Sequence, residues 1–458
     1  MKFIVLAIGI IGIIPLALVL RANAYTLNKF WIFIGLAPFI SSVTPLANVA
    51  LITWDQIWFS YVPGLQVTII DLIAVAIYCA LWDRKNSIRF HIPFILYLIA
   101  ITQSAFHADK PLAALFYVWQ FVRIYFFVTV IAKACTTPEV PTQLLKGMAL
   151  GLLVQLSVTL WQKFGLHVLE PSGTFPHRNT LGLVLHLVVS PHFALFLAGQ
   201  RQLQNAATPL LGLTIASIIA SRAAVGIIGF NLAVTYMLSC LRERTRWKAM
   251  IGLAGVLVVA VMAPIAYQTL EKRFERDPLM EHEYDERAAF NRAALLMLDD
   301  HPFGVGVNHY SYVGKNYGYS IRAGVYPNEA NLNNTVHNAY MLAAAEAGYL
   351  GFISFIILCA CPLWIALKYV WKSQRNDPRG DLLLGLATGF LATYIHSYFE
   401  YVIVMKDVQY ILGIAMGMTF GLAHQIKVSG ERQRAIAPKP VLPPPPLKLT
   451  TTLRQRRL

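Results

Sequence analysis

Hydrophobic residues along this chain come in long blocks. Apolar runs of about 18 to 25 residues recur, each able to cross roughly 30 Å of hydrocarbon as a helix. The period-two alternation of a membrane barrel strand is missing. The blocks predict spans at 3–20, 30–50, 66–82, 91–107, 112–135, 143–166, 179–199, 207–220, 221–240, 247–266, 339–370, 382–399 and 407–425. The pair meeting at Ser221-Arg222 is short and is open to reading as a re-entrant element, so about twelve or thirteen crossings are expected. The fold class that follows is an all-α polytopic membrane protein, each helix satisfying its own backbone.

The polar segments between the blocks give the organisation. Residues 1–266 are expected to form an N-terminal transmembrane bundle, 267–338 one large outer loop with an amphipathic helix, and 339–425 the C-terminal transmembrane helices. Residues 426–458 read as a basic, proline-rich, disordered tail. The stretches "DRKNSIR" (83–89), "RERTRWK" (242–248) and "KYVWKSQR" (368–375) are also basic. Lys/Arg bias places them and the tail in the cytoplasm, and puts 54–65, 167–178 and 267–338 outside. The first 24 residues imitate a cleavable signal peptide, with Ala22-Asn23-Ala24 at its end. Arg21 beside that site favours a retained first span.

Composition agrees with the pattern. Of 458 residues, 57% are hydrophobic and 13% charged, against roughly 25% charged in soluble domains; mean hydropathy is +0.55. The net charge of +15 is spread over short loops and the tail, so it does not mark a nucleic-acid-binding domain. Cys79, Cys135, Cys240, Cys359 and Cys361 sit in or beside predicted spans, without zinc spacing. They read as apolar packing residues.

Candidate chemistry gathers around the large loop. Ala289, Ala293, Leu296 and Met297 repeat at helical period, and that helix should stop before Pro302. "PFGVGVN" then turns the chain, and an Asn-, Gly- and Tyr-rich stretch ends at His337. His337 is expected to open an Ala-rich helix with Asn338 in its first turn. Ala344-x3-Gly348 and Ala347-x3-Gly351 would let that helix pack closely on a neighbour. The ordinary alternative is a loop histidine bonded to a helix end. Arg222 stands in apolar sequence, where an arginine faces a cavity or snorkels from a helix end. Arg287 and Arg292 lie five residues apart and read either as weak surface ion pairs or as an anion clamp. His177, Arg178 and Asn179 in "GTFPHRN" suit helix anchoring nearly as well as sugar contact. Asp71 should face inward, His396 and Glu400 are spaced to pair, and Asp299-Asp300 reads as a solvated helix end rather than a metal site.

In order, "GTFPHRNTLG", "SRAAVGIIGF", "ERAAFNRAALLMLDDHPFGVGVNHY" and "HNAYMLAAAEAGYLGF" resemble the O-antigen ligase and Wzy-type polymerase superfamily of bacterial envelope enzymes, over roughly residues 150–360. The resemblance implies a metal-independent, cofactor-free glycosyltransferase of the inner membrane, working on its periplasmic face. The donor would be a glycan on undecaprenyl pyrophosphate. The acceptor would be a growing polysaccharide repeat, a lipid A-core or a protein. Arg222 and Arg287 would hold the pyrophosphate and His337 would activate the acceptor hydroxyl, with Arg292, His177, Asn179 and Asn338 as further substrate contacts. After Arg287 the chain reads "AAFN", where many relatives have a tryptophan one position further on, so Arg292 is kept as the alternative clamp. Polymerase and ligase stay open between them. A lipid-linked oligosaccharide flippase is the alternative from another class, though it should show internal repeats that this chain lacks.

Overall fold

The computed structural model describes residues 2–41, 48–54, 58–83, 88–219, 221–257, 260 and 285–436; the side chains of Ala24, Tyr25, Arg222 and residues 432–436 fall outside that description. The chain is an all-α polytopic membrane protein, with a small β-hairpin among the described residues. Helices α1 (Lys2–Ala22), α2 (Ala24–Ile40), α3 (Ile69–Ala80), α4 (His91–His107), α5 (Pro111–Ala134) and α6 (Val140–Leu160) come first. Then follow α7 (Arg178–Leu197), α8 (Leu203–Ile218), α9 (Arg222–Arg242) and α10 (246–257). The segment expected on the outer side, hereafter the outer segment, holds α11 (Glu286–Asp300), α12 (Tyr310–Asn316), α13 (Tyr319–Arg322) and α14 (Glu329–Leu332), before α15 (Ala339–Lys372), α16 (Pro378–His396) and α17 (Lys406–Ile436).

Every expected span overlaps a helix. Among the described residues seven helices are long and apolar enough to cross a membrane, and Thr26–Ile40, Ile69–Ala80 and His91–His107 are apolar but shorter. The expected span at 30–50 is cut short. α2 ends at Ile40, and Asn48–Thr53 instead forms strand β1, antiparallel to β2 (Gly64–Thr68). "NVALIT" is apolar enough to look like membrane helix, but its β-branched residues also suit a pleated edge. The tail assignment also shifts, because α17 continues ten residues beyond 426. Residues 437–458 and 261–284 lie outside the described part.

Helix packing relies on small residues at crossings. α2 packs on α6 where Gly35 meets Gly147: a Cβ on the first would sit 2.2 Å from the Leu144 carbonyl oxygen, and one on the second 2.1 Å from that of Ile32. Such contact lets dispersion act along the whole crossing without a hydrophobic drive between helices. α7 lies at the centre, packed on α8, α9 and α16, with most of its residues buried.

One end of the bundle is basic. There Arg242 donates to the carbonyl oxygens of Val370 and Gln374 and pairs with Asp381 at 3.1 Å. Arg379 donates to Ser429 at the same end. The opposite end carries the hairpin, the segment 161–178 and α11 to α14.

The outer segment is stitched to α15 across a break in that helix. Gly348 has φ +67 and is not helical. Just before the break, the carbonyl oxygens of Ala345 and Glu346 accept from the amides of Val305 and Gly306, each at 3.0 Å, while the Tyr349 amide donates to the Pro302 carbonyl. The "PFGVG" turn thus takes the hydrogen bonds that α15 gives up. Gly348 is therefore a break point rather than the helix-packing position its spacing implied. The Glu346 carboxylate accepts from the amides of Asn308 and Tyr310, both at 2.9 Å, and from Tyr61. A buried carboxylate with that many donors fixes the loop after the turn.

Candidate active site

The polar centre of the outer end is built on Glu400, which follows the turn that ends α16 and is 3% exposed at its side chain. Its Oε2 lies 3.1 Å from His337 Nδ1. Its Oε1 accepts from Asn179 Nδ2 at 2.5 Å and from an Arg287 Nη at 3.3 Å. Residues 179, 287, 337 and 400 are far apart in sequence, and one carboxylate collects them. Asp71 occupies a separate cluster, bonded to Arg123 and to the Tyr410 hydroxyl at 2.6 Å.

Helix ends do the positioning. The amide of Ala339, at the start of α15, donates to the carbonyl of Ser397 at the end of α16, at 2.9 Å. That bond sets the loop before α15 beside the loop after α16, hence His337 beside Glu400. α15 begins at Ala339, two residues later than His337, and Asn338 is its N-cap: the amide oxygen accepts from the backbone of Tyr340 and Met341 at 3.0 and 3.2 Å. Asn338 is buried, and its side-chain oxygen is engaged by the cap. The His337 ring lies between Phe290 of α11, centroids 6.1 Å apart, and Tyr401, at 5.9 Å edge-on.

α7 and α9 close the other side. His177 caps α7, its Nδ1 accepting from the Asn179 amide at 3.1 Å. Burial pushes the His177 imidazole below its ordinary pKa. The Asn179 side chain donates to Glu400 and accepts from the Ser221 hydroxyl at 3.2 Å. That hydroxyl also caps α9 by accepting from the Ala224 amide. His177 and Asn179 thus both bond to protein groups beside Glu400. Arg222 is the first residue of α9, directly after Ser221; its side chain lies outside the described ones.

The two loop arginines part ways. Arg287 stays 55% exposed, with one long contact to Glu400. The Arg292 Nε donates to the Ala323 carbonyl at 3.1 Å, tying α11 to the turn after α13. Geometry thus joins Arg287, and not Arg292, to His337. The expected His396–Glu400 pair does not form either. His396 Nδ1 meets His186 Nε2 at 3.1 Å inside the bundle. Four-residue spacing predicts a pair only within a helix, and α16 ends at His396.

The tautomer of His337 follows from its neighbours. An ionised carboxylate only accepts, so Nδ1 carries the proton that points at Glu400. Nε2 then presents a lone pair, 3.3 Å from the Asn334 side-chain nitrogen. Among the described residues no group of three or more His, Cys, Asp or Glu is arranged to hold a metal ion. Asp300 is tied to the Tyr319 hydroxyl at 2.9 Å and to Arg322 at 3.5 Å.

Residues 209–356, about a third of the chain, match the family model described as O-antigen ligase. The matched region runs from α8 through the outer segment into α15, and so contains Arg222, Arg287 and His337 but not Asn179 or Glu400. No sequence among the curated proteins matches the chain.

Proposed function

From its place in the O-antigen ligase and Wzy-type polymerase superfamily, a family of cell-envelope polysaccharide biosynthesis, we propose that this membrane protein transfers a glycan from undecaprenyl pyrophosphate to an acceptor hydroxyl. In this reading His337 is the general base. Its Nε2 takes the proton of the acceptor hydroxyl while that oxygen attacks the anomeric carbon. The bond from the anomeric carbon to the pyrophosphate oxygen breaks, and its electron pair leaves with the lipid pyrophosphate. Direct displacement inverts the anomeric centre. A sugar hydroxyl is a poor nucleophile, so proton removal in the transition state contributes about 10² to 10⁴ in rate.

The remaining roles follow from charge. The Glu400 carboxylate holds the Nδ1–H tautomer and stabilises the imidazolium as it forms, as an acid does in a nucleophile–base–acid triad. Arg287, anchored by one long bond and otherwise exposed, has guanidinium hydrogens left for a phosphate oxygen. Arg222 opens a helix next to the same cluster and is assigned the second contact to the leaving group. The site faces the periplasm in this account, because the basic loops collect at the opposite end. The observation that carries the proposal is the convergence of His337, Arg287 and Asn179 on one buried carboxylate.

Reconstitution tests it. Purified protein in liposomes, given an undecaprenyl-pyrophosphate oligosaccharide and alternative acceptors, should form product at an undiminished rate in excess chelator. A ladder of products would identify a polymerase and single adducts a ligase. Loss of transfer in chelator with recovery on adding Mg²⁺ would contradict the metal-free mechanism.

A further inference from the structure

A cavity lies towards the far end of α15 from Ala339, around Lys368 and Tyr369. Its volume is about 340 Å³. Three cations line it: Arg89 just before α4, Lys368 on α15 and Lys427 on α17. Among the described residues Glu431 pairs with one of them, 3.8 Å from Lys427 with both side chains more than half exposed. Exposed pairs of this kind neutralise little. His424 and Tyr369 add hydrogen-bonding groups, while Ile88, Ile365 and Phe420 form apolar wall.

An exposed tryptophan stands at the cavity. Trp364 lines it and is 67% exposed, where an interfacial tryptophan is expected. On α15 the residues Ile353, Ile357, Trp364 and Lys368 follow one another at four- and seven-residue steps, so they share one face. The first three are exposed. On α4, which packs against α15, Ile92, Ile95 and Ile99 are exposed as well. An apolar track thus leads along both helices to a cationic hollow at the membrane surface.

We propose that this hollow binds the phosphate headgroup of an anionic phospholipid, whose acyl chains lie along the track of α15 and α4. Free phosphate or pyrophosphate carries the same recognised group. The lipid is favoured because the cations stand at the end of exposed hydrocarbon-facing surface and beside an interfacial tryptophan. This site is separate from the glycan chemistry around Glu400 and does not depend on it.

Native mass spectrometry of the full chain in detergent, titrated with phosphatidylglycerol, phosphatidylcholine or inorganic pyrophosphate, tests the assignment. Phosphatidylglycerol should be retained about tenfold or more over phosphatidylcholine, and that preference should vanish in the triple variant Arg89→Gln/Lys368→Gln/Lys427→Gln. Should the triple variant not fold, Lys368→Gln alone should reduce the preference severalfold. Equal retention of the two lipids would overturn the proposal, as would an unchanged preference in the variants. Pyrophosphate binding without lipid preference would assign the hollow to a soluble anion and overturn it too.

Discussion

At the scale of single residues, the candidate site depends on a carboxylate that sequence spacing paired with the wrong histidine. Glu400 lies four residues after His396, so helical periodicity joins them, but α16 ends at His396 and the turn beyond it carries Glu400 to His337. No local pattern shows where a chain goes after a helix stops. His177, Asn179 and His337 stand out as polar residues at the mouth of an apolar block, and Arg287 by its spacing from Arg292 on the loop helix. Which of them cap helices was not legible, since capping appears only with backbone geometry. Asn338 and His177 are caps for that reason. Glu400→Gln is the informative substitution. A glutamine amide can donate to Nδ1, which favours the tautomer with its proton on Nε2 and removes the lone pair from the acceptor side. The transfer rate should fall by about 10² to 10⁴ with little change in apparent donor affinity, read from initial rates over a range of donor concentrations. A rate within about twofold of wild type would leave Glu400 without a part in orienting the base.

At the scale of elements, the helix after the large loop was legible and its break was not. Small residues at four-residue spacing predicted close helix packing through Gly348. The structure uses that glycine to interrupt α15 so that the turn from Pro302 to Gly306 can bond to the freed backbone. The "PFGVG" and "AEAGYLG" stretches are thus two halves of one joint, and it brings α11, with Arg287, against the start of α15. A side chain at Gly348 would meet both a left-handed backbone and the Pro302 carbonyl oxygen, 2.2 Å from an added Cβ. Gly348→Ala should therefore cost roughly 1–3 kcal/mol, seen as a lower unfolding temperature in detergent and faster proteolysis of the outer segment. An unchanged melting curve would mean the joint does not hold the loop. β1 shows the opposite limit of pattern reading: its apolar residues look like the end of a span but pair as a strand.

At the scale of the whole molecule, the block pattern carried most of the fold, because membrane helices must be long, apolar and internally bonded. The two ends of the bundle differ in the charged groups they carry. Arg242, Lys368, Arg379 and Lys427 gather at one end, and the Glu400 cluster sits at the other. In a cysteine-free background, Tyr326→Cys should react with a membrane-impermeant maleimide in intact spheroplasts, and Arg375→Cys only after permeabilisation. The reverse pattern would turn the molecule over and move the site to the cytoplasm. The central claim is that an imidazole at the outer lip of the membrane removes the acceptor's proton while arginines hold the departing pyrophosphate. Single-turnover transfer by His337→Ala, with insertion and donor binding measured on the same liposomes, addresses it most directly. The account predicts a fall of about 10² to 10⁴ in the transfer rate with donor still bound, and transfer near the wild-type rate would contradict it.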